Sequence, residues 1–168
     1  MKRFYLVLMT LLLCISTACA NGNNANDHNA NGSKGTKTSD KGEPSDMKIS
    51  IQITSDSGKS ELTATLADNS SARAFYELLK KEPLTVDMHD YGNFEKVGSI
   101  GTRLPRNDTQ ITTTAGDIIL YQGNQITIYY DTNSWNFTRL GKVDGVTQTE
   151  LKKILGKGDV RAVFEIAD

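Results

Sequence analysis

Between Met47 and Asp168 the chain runs in short stretches of alternating apolar and polar residues, broken by clusters of Gly, Asn, Asp and Ser. Met47, Ile49, Ile51 and Ile53 alternate with Lys48, Ser50, Gln52 and Thr54. A period of two turns one side of an extended chain toward a core and the other toward water, so this stretch predicts a strand. Asp56-Ser57-Gly58-Lys59 reads as a turn, and Leu62, Ala64 and Leu66 resume the alternation, which predicts a hairpin. The pattern then changes. Ala72, Phe75, Leu78 and Leu79 recur at helical spacing, so residues 70–81 predict an amphipathic helix. Asn69 or Ser70 suits its N-cap, Lys80 and Lys81 suit its negative end, and Pro83 stops it.

Extended patterning returns at Leu84, Val86 and Met88, followed by a turn at Tyr91-Gly92-Asn93 and a short strand in residues 96–101. Residues 104–108, rich in Pro, Asn and Asp, predict a loop. Ala115-Gly116-Asp117 turns into the run 118–122, and Gly123-Asn124 separates that run from Ile126, Ile128 and Tyr130 by two residues, a strong hairpin signal. Tyr130 shares a face with Ile126 and Ile128, which predicts a core position, and Tyr129 points the other way. Trp135 falls among Thr132, Asn133 and Ser134 and reads as part of a polar loop, with extended structure resuming from Phe137 to Val143. Thr147 and Glu150 form a capping box that opens a second helix, closed by Gly156. Val160, Ala162, Phe164 and Ile166 close the chain with a last alternating strand. Roughly eight strands and two helices, with regular turn signals, predict a mainly β protein, closed as a barrel whose open ends the helices plug.

Composition changes the picture at the N-terminus. Lys2 and Arg3 precede an apolar run from Phe4 to Ile15, shorter than the ~20 residues of a comfortable membrane span. A basic start, an apolar run and then small residues form the pattern of a secretory signal. Ser16-Thr17-Ala18-Cys19 resembles a bacterial lipobox, and Ala18-Cys19-Ala20 also fits an A-x-A cleavage site. The favoured organisation is a signal peptide over residues 1–18, a lipidated Cys19 as mature N-terminus, a disordered tether over 19–46 and a β-barrel domain over 47–168. The tether has no Val, Ile, Leu, Met, Phe, Trp or Tyr before Met47, and its His28 reads as a solvated linker residue. Its average span is on the order of 25–30 Å. The expected location is the bacterial cell envelope, lipid-anchored, with a secreted or periplasmic protein as the alternative.

Charge and cysteine usage exclude several classes. Without Lys2 and Arg3 the 19 basic side chains fall to 17 against 20 acidic ones, a net of −3. No basic stripe marks a nucleic-acid surface. Cys14 belongs to the signal and Cys19 to the lipid, so no disulfide framework or thiolate metal site is expected in the domain. No motif calls for a cofactor.

The order of short motifs then becomes specific. Asp68-Asn69 followed by Ala72, Phe75 and Leu78-Leu79, then Pro83-Leu84, Met88, Gly92-Asn93 and Glu95-Lys96, resembles the bacterial cyclophilin-like family of small β-barrel proteins. The resemblance continues through Leu104-Pro105, Ala115-Gly116-Asp117, Leu120-Tyr121, Tyr129 and Thr138-Arg139-Leu140-Gly141 to Leu155-Gly156, Val160 and Phe164-Glu165. It implies a cyclophilin-type barrel, frequent secretion or lipoprotein signals, and a biochemical role that is generally unassigned. Leu140-Gly141-Lys142-Val143 with Asp144-Gly145 is similar to a late segment of the cyclophilin peptidyl-prolyl isomerases. The isomerase pattern departs just before it. Trp135 stands closer to Gly141 than that family's tryptophan, Phe137 takes the place of its histidine, and the run supplying the catalytic arginine and glutamine is absent. Arg103 and Arg139 lie outside the matching context.

Glu95, Tyr121, Tyr129, Trp135, Phe137 and Arg139 are the candidate ligand-pocket residues. Aromatic rings with a polar handle suit a pocket margin, and equally suit the lid of a small barrel. Glu95 and Arg139 are candidates to fix a ligand, or to serve as surface charge or a structural ion pair. His89 lacks any nucleophile motif, and alternation puts Asp87 and His89 on one face and Asp90 on the other. No catalytic residue and no metal ligand is assigned. Asp117 reads as a turn former, and Gly98, Gly101 and Gly141 as requirements of backbone geometry. The expected function is an envelope-anchored binding module for a small molecule or peptide segment, without isomerase activity. A divergent peptidyl-prolyl isomerase acting on envelope proteins is the alternative, and a hydrolase or other enzyme using the same pocket, with His89 as its only obvious base, a third.

Overall fold

The computed structural model describes residues 47–168. The expected signal peptide, Cys19, the tether and His28 lie outside the described residues. The elements are β1 (Lys48–Ser55), β2 (Gly58–Leu66), α1 (Ser70–Leu79), β3 (Leu84–Tyr91), β4 (Glu95–Ser99) and β5 (Thr109–Thr112). They continue with β6 (Asp117–Tyr121), β7 (Gln125–Tyr129), β8 (Ser134–Val143), α2 (Gln148–Leu155) and β9 (Val160–Ile166). Strands pair in the order β2-β1-β9-β3-β4-β7-β6-β8, and β8 returns to β2, so eight antiparallel strands close into a barrel. The ninth, β5, adds to the first half of β8. Closure removes the exposed sheet edges that would otherwise recruit other chains.

The seam of the barrel explains one glycine. Gly141 opposes Leu66 where β8 meets β2. A Cβ at Gly141 would lie 2.5 Å from the Thr65 carbonyl oxygen and 2.9 Å from Leu66 Cα. Both are backbone atoms that cannot swing away, so the strands approach this closely only around glycine.

The inward faces are those the alternation predicts. Ile49, Ile51 and Ile53 of β1, Val86 and Met88 of β3, Ile126 and Ile128 of β7, and Ala162 and Phe164 of β9 fill the interior. Apart from Ala162, each of these buried side chains contributes about 1.5–3 kcal/mol. Both helices bury their apolar faces in the same cluster, α1 through Ala72, Phe75 and Leu79 and α2 through Leu151 and Leu155. Phe75 meets Phe164 edge-on at 5.9 Å between ring centroids. Asn69 is the cap of α1, its side chain accepting from the Ala72 N–H at 2.9 Å. The helix ends at Leu79, with Lys80 as C-cap, two residues before the patterned end. The capping box of α2 forms in both directions, Thr147 N–H to Glu150 Oε2 at 2.9 Å and Glu150 N–H to Thr147 Oγ1 at 3.2 Å.

Two elements differ from expectation. Strand β5 has a single apolar residue, Ile111, and carries no alternation to read. It forms because β8 extends beyond the barrel and leaves unpaired backbone groups that β5 satisfies. For the same reason Trp135 lies in β8, opposite Ile111, not in a loop. On this extension Ser134, Trp135 and Asn136 are all exposed, so polar neighbours are compatible with strand structure.

Candidate functional site

The outward faces of β3, β4, β7, β6 and β8 carry side chains in transverse rows set by the pairing register. Tyr91 opposes Glu95, and Glu95 opposes Tyr129, so a carboxylate lies between two tyrosines. In the next row His89 opposes Val97, Val97 opposes Thr127, Thr127 opposes Ile119, and Ile119 opposes Arg139. A second, smaller hydrophobic cluster thereby forms outside the barrel. Ile119, Tyr129 and Phe137 are its buried members, with Phe94, Ile111 and Tyr121 packed on them. Tyr129 stacks parallel to Phe94 at 6.0 Å and meets Phe137 at 5.7 Å, and Tyr121 meets Phe137 edge-on at 6.4 Å.

A cavity of about 400 Å³ opens on this cluster. That is within the ~300–1,000 Å³ of small-molecule sites. Tyr129, Phe137 and Tyr121 give it aromatic walls, and Val97 and Glu95 contribute from β4. Gln125 and Asn133 supply amide groups, and His89 an imidazole. Tyr91 and Trp135 complete it. These two are the exposed large hydrophobic residues of the described chain, 58% and 62% accessible.

Glu95 is the buried charged group of the cavity. Only 8% of its surface is accessible, and Oε2 has no hydrogen-bond partner. Burial raises its pKa above the ordinary glutamate value, while the Tyr129 hydroxyl and the His89 imidazole pull the other way. The Tyr129 hydroxyl is pushed upward in turn, by burial first and then by Glu95. Asn133 Nδ2 approaches that hydroxyl at 3.5 Å. An apolar wall strengthens any interaction made by the carboxylate and makes the unpaired Oε2 costly.

Arg139 belongs to the same outward face by register but does not line the cavity. Its Nη2 lies 3.2 Å from Asp117 Oδ2. Asp117 is 1% exposed and is also held by the Thr114 N–H at 2.8 Å and by Lys142 at 3.4 Å. Asp117 is therefore more than a turn former: a buried carboxylate draws in the nearest cations. Arg139 takes the ion-pair role that was one of its two sequence readings, with its Nε left unpartnered. The other five candidates, Glu95, Tyr121, Tyr129, Trp135 and Phe137, come together at the cavity.

Tyr91, His89, Val97, Gln125 and Asn133 were not among the candidates. Tyr91 reads as a turn residue beside Gly92-Asn93, yet the alternation of β3, carried two residues past His89, puts it on the outward face. Asp87, on that same face, is paired with Arg161 at 2.7 Å and lies outside the cavity. No group of three or more His, Cys, Asp or Glu side chains among the described residues is arranged to hold a metal.

Comparison with known proteins agrees with this architecture. A search of curated proteins gives no match. Among solved structures, the chain resembles the solution structure of a hypothetical protein from Archaeoglobus fulgidus, with a TM-score of 0.51 and 14% identity. The likeness covers 72% of this chain and 96% of that one, and at this identity it speaks to the fold alone. Residues 55–165 match the model of the cyclophilin-like family. The family that the sequence resembles is the one the match returns: this chain belongs to the cyclophilin-like family.

Proposed function

We propose that this protein is an envelope-tethered binding module whose outer-face cavity takes a small molecule or a peptide segment, without peptidyl-prolyl isomerase activity. One observation carries the reading: the two exposed large aromatic side chains, Tyr91 and Trp135, both stand at this cavity. Exposed aromatic surface gathered at a concave site is the mark of a recognition surface, whereas scattered surface aromatics are not. The absence of isomerase chemistry is supported by the position of Arg139, committed to Asp117, and by Phe137 where the isomerases carry histidine. The tether and Cys19 supply the anchor in this reading.

The test is a fragment screen by nuclear magnetic resonance on residues 47–168 together with the full chain. Saturable shifts concentrated at Tyr91, Glu95, Trp135 and Asn133 are expected. Binders that perturb only other surfaces, or none at all, overturn the reading. In a proline-isomer exchange assay no acceleration is expected. Acceleration abolished by Arg139→Ala favours the isomerase instead. Membrane fractionation of cells expressing Cys19→Ala checks the anchor, with release to the soluble fraction as the expected result.

A further inference from the structure

The lining of the outer-face cavity has a chemical bias beyond its shape. Its single carboxylate, Glu95, is more than nine-tenths buried, and the Oε2 atom lacks a partner. Native structures rarely leave such an atom unsatisfied, because the lost hydration is not regained. Around it stand the rings of Tyr91, Tyr121, Tyr129, Trp135 and Phe137. An aromatic ring presents a negative face, and attracts cations that approach within about 6 Å of its centre. No lysine or arginine lines the cavity, so the wall groups that bear on the carboxylate are the Tyr129 hydroxyl and the His89 imidazole, and they leave Oε2 unpaired. The nearby cations are taken: Arg139 and Lys142 pair with Asp117, and Lys96 pairs with Asp90 on the other face of β4.

Resting on the reading of the cavity as a binding site, we infer that its ligand is an organic cation: a protonated amine that donates to Glu95 while its apolar body packs among the rings. The amine would complete the hydrogen bonding of Glu95 Oε2 and bring a counter-charge to a carboxylate that burial disfavours. An anionic ligand would meet Glu95 with like charge. A neutral apolar one would leave the carboxylate oxygen buried and unpaired.

The chemistry of a protonated amine is shared by free arylalkylamines and by lysine side chains of a peptide. The probes separate them: phenethylammonium, a capped Gly-Lys-Gly tripeptide, and the neutral and anionic controls 2-phenylethanol and 3-phenylpropionate. Binding is read at neutral pH by the fluorescence of Trp135, the only tryptophan, and by calorimetry. The expected result is saturable binding of a cationic probe, with both controls weaker by about tenfold or more, the scale of one charge-assisted hydrogen bond. Glu95→Gln keeps the shape and should weaken the cation toward the level of the alcohol, while the alcohol, whose hydroxyl brings no charge to the carboxylate, changes far less. Tyr91→Leu, at an exposed position that needs no core rearrangement, should weaken the cation about threefold, the size of one exposed cation–π contact. Tighter binding of the tripeptide identifies a protein lysine as the source, and tighter binding of phenethylammonium a free amine. Equal or better binding of either control overturns the cation inference and leaves the binding module standing. So does unchanged amine binding by Glu95→Gln. Failure of every probe, whatever its charge, to bind at the cavity overturns the cation inference, and a blank fragment screen then overturns the binding site with it.

Discussion

Glu95 and Lys96 are consecutive residues of β4, both charged and both buried, and they face opposite sides of the barrel wall. Lys96 is fully inaccessible, and its ammonium meets three acceptors: Asp90 Oδ2 at 2.8 Å, the Gly158 carbonyl at 2.6 Å and the Gly156 carbonyl at 3.3 Å. Three N–H donors thus find three oxygens. Tyr130 completes the group by donating to Asp90 Oδ2 at 2.6 Å. Burial opposes the charge on Asp90, but the hydrogen bonds from Lys96 and Tyr130 outweigh it and hold its carboxyl below the usual aspartate range. Across the wall, Glu95 has an orphaned oxygen and a raised pKa. The charge that serves the fold is saturated, tying β4 to the residues that follow α2. The charge that serves the cavity is left open. The contrast separates a structural ion from a receptive one more sharply than burial does, since both are buried.

The largest effect should come from breaking the saturated side. Lys96→Met leaves Asp90 and two carbonyls without their cation, and a loss of about 3–5 kcal/mol is expected in urea unfolding followed by circular dichroism. A loss under about 1 kcal/mol would end the contrast. The pH dependence has a defined sign. The Asp90 pKa is depressed in the folded state, so its contribution is present above the ordinary carboxylate value and is lost as pH falls through the depressed one. Lys96→Met should flatten that acid limb. Next in size is Gly141→Ala at the seam, where the new Cβ would press on backbone at Thr65 and Leu66. Overpacking of this kind costs about 1–3 kcal/mol. Because the seam lies away from the cavity lining, ligand affinity of the folded fraction should not change.

The receptive side should respond with the opposite sign. Glu95→Gln removes a buried charge without changing shape, and a gain on the order of 1 kcal/mol is expected at neutral pH. The raised Glu95 pKa favours the folded state below the ordinary glutamate value of 4.5, and that favour is lost as pH rises through the raised folded value. Stability curves of the wild type and Glu95→Gln should therefore diverge as pH climbs through that window. A variant less stable than wild type at neutral pH would mean that the carboxylate is a structural partner after all.

How much of this was legible in the sequence depends on what each position answers to. The inward rows of β1, β2, β3, β7 and β9 answered to a period of two and could be read from alternation, β4 and β6 were read from the turns beside them, and the two helices from spacing and caps. Strand β5 answered only to the unpaired backbone of β8, a tertiary cause with no trace in Thr109–Thr112. At the cavity, Glu95, Tyr121, Tyr129, Trp135 and Phe137 were recognisable as aromatics and a charge near turns. Arg139 carried the same local signals, and its divergence was decided by Asp117, a residue 22 positions away in the chain. Ion-pair choice is a three-dimensional contest, and periodicity has nothing to say about it. The same holds for Glu95 and Lys96, whose unequal partnering is invisible in the letters E and K.

The smallest expected stability effect decides between the two sequence readings of the aromatics, as ligand rim or as lid over a core. Trp135 is 62% exposed and lies on the part of β8 that extends beyond the barrel. A rim residue contributes little to folding, so Trp135→Ala should change stability by less than about 0.5 kcal/mol. A lid residue covers apolar surface, and its removal should cost about 3 kcal/mol or more. Tyr129 and Phe137, at 1% and 3% exposure, already pack the small outer cluster without help from the indole. Calorimetry, which needs no fluorophore, should then show amine affinity falling about threefold in Trp135→Ala, the size of one exposed cation–π contact. Affinity lost with stability kept makes Trp135 a rim. Stability lost with affinity kept makes it a lid, and moves the boundary between fold and site inward to Tyr129.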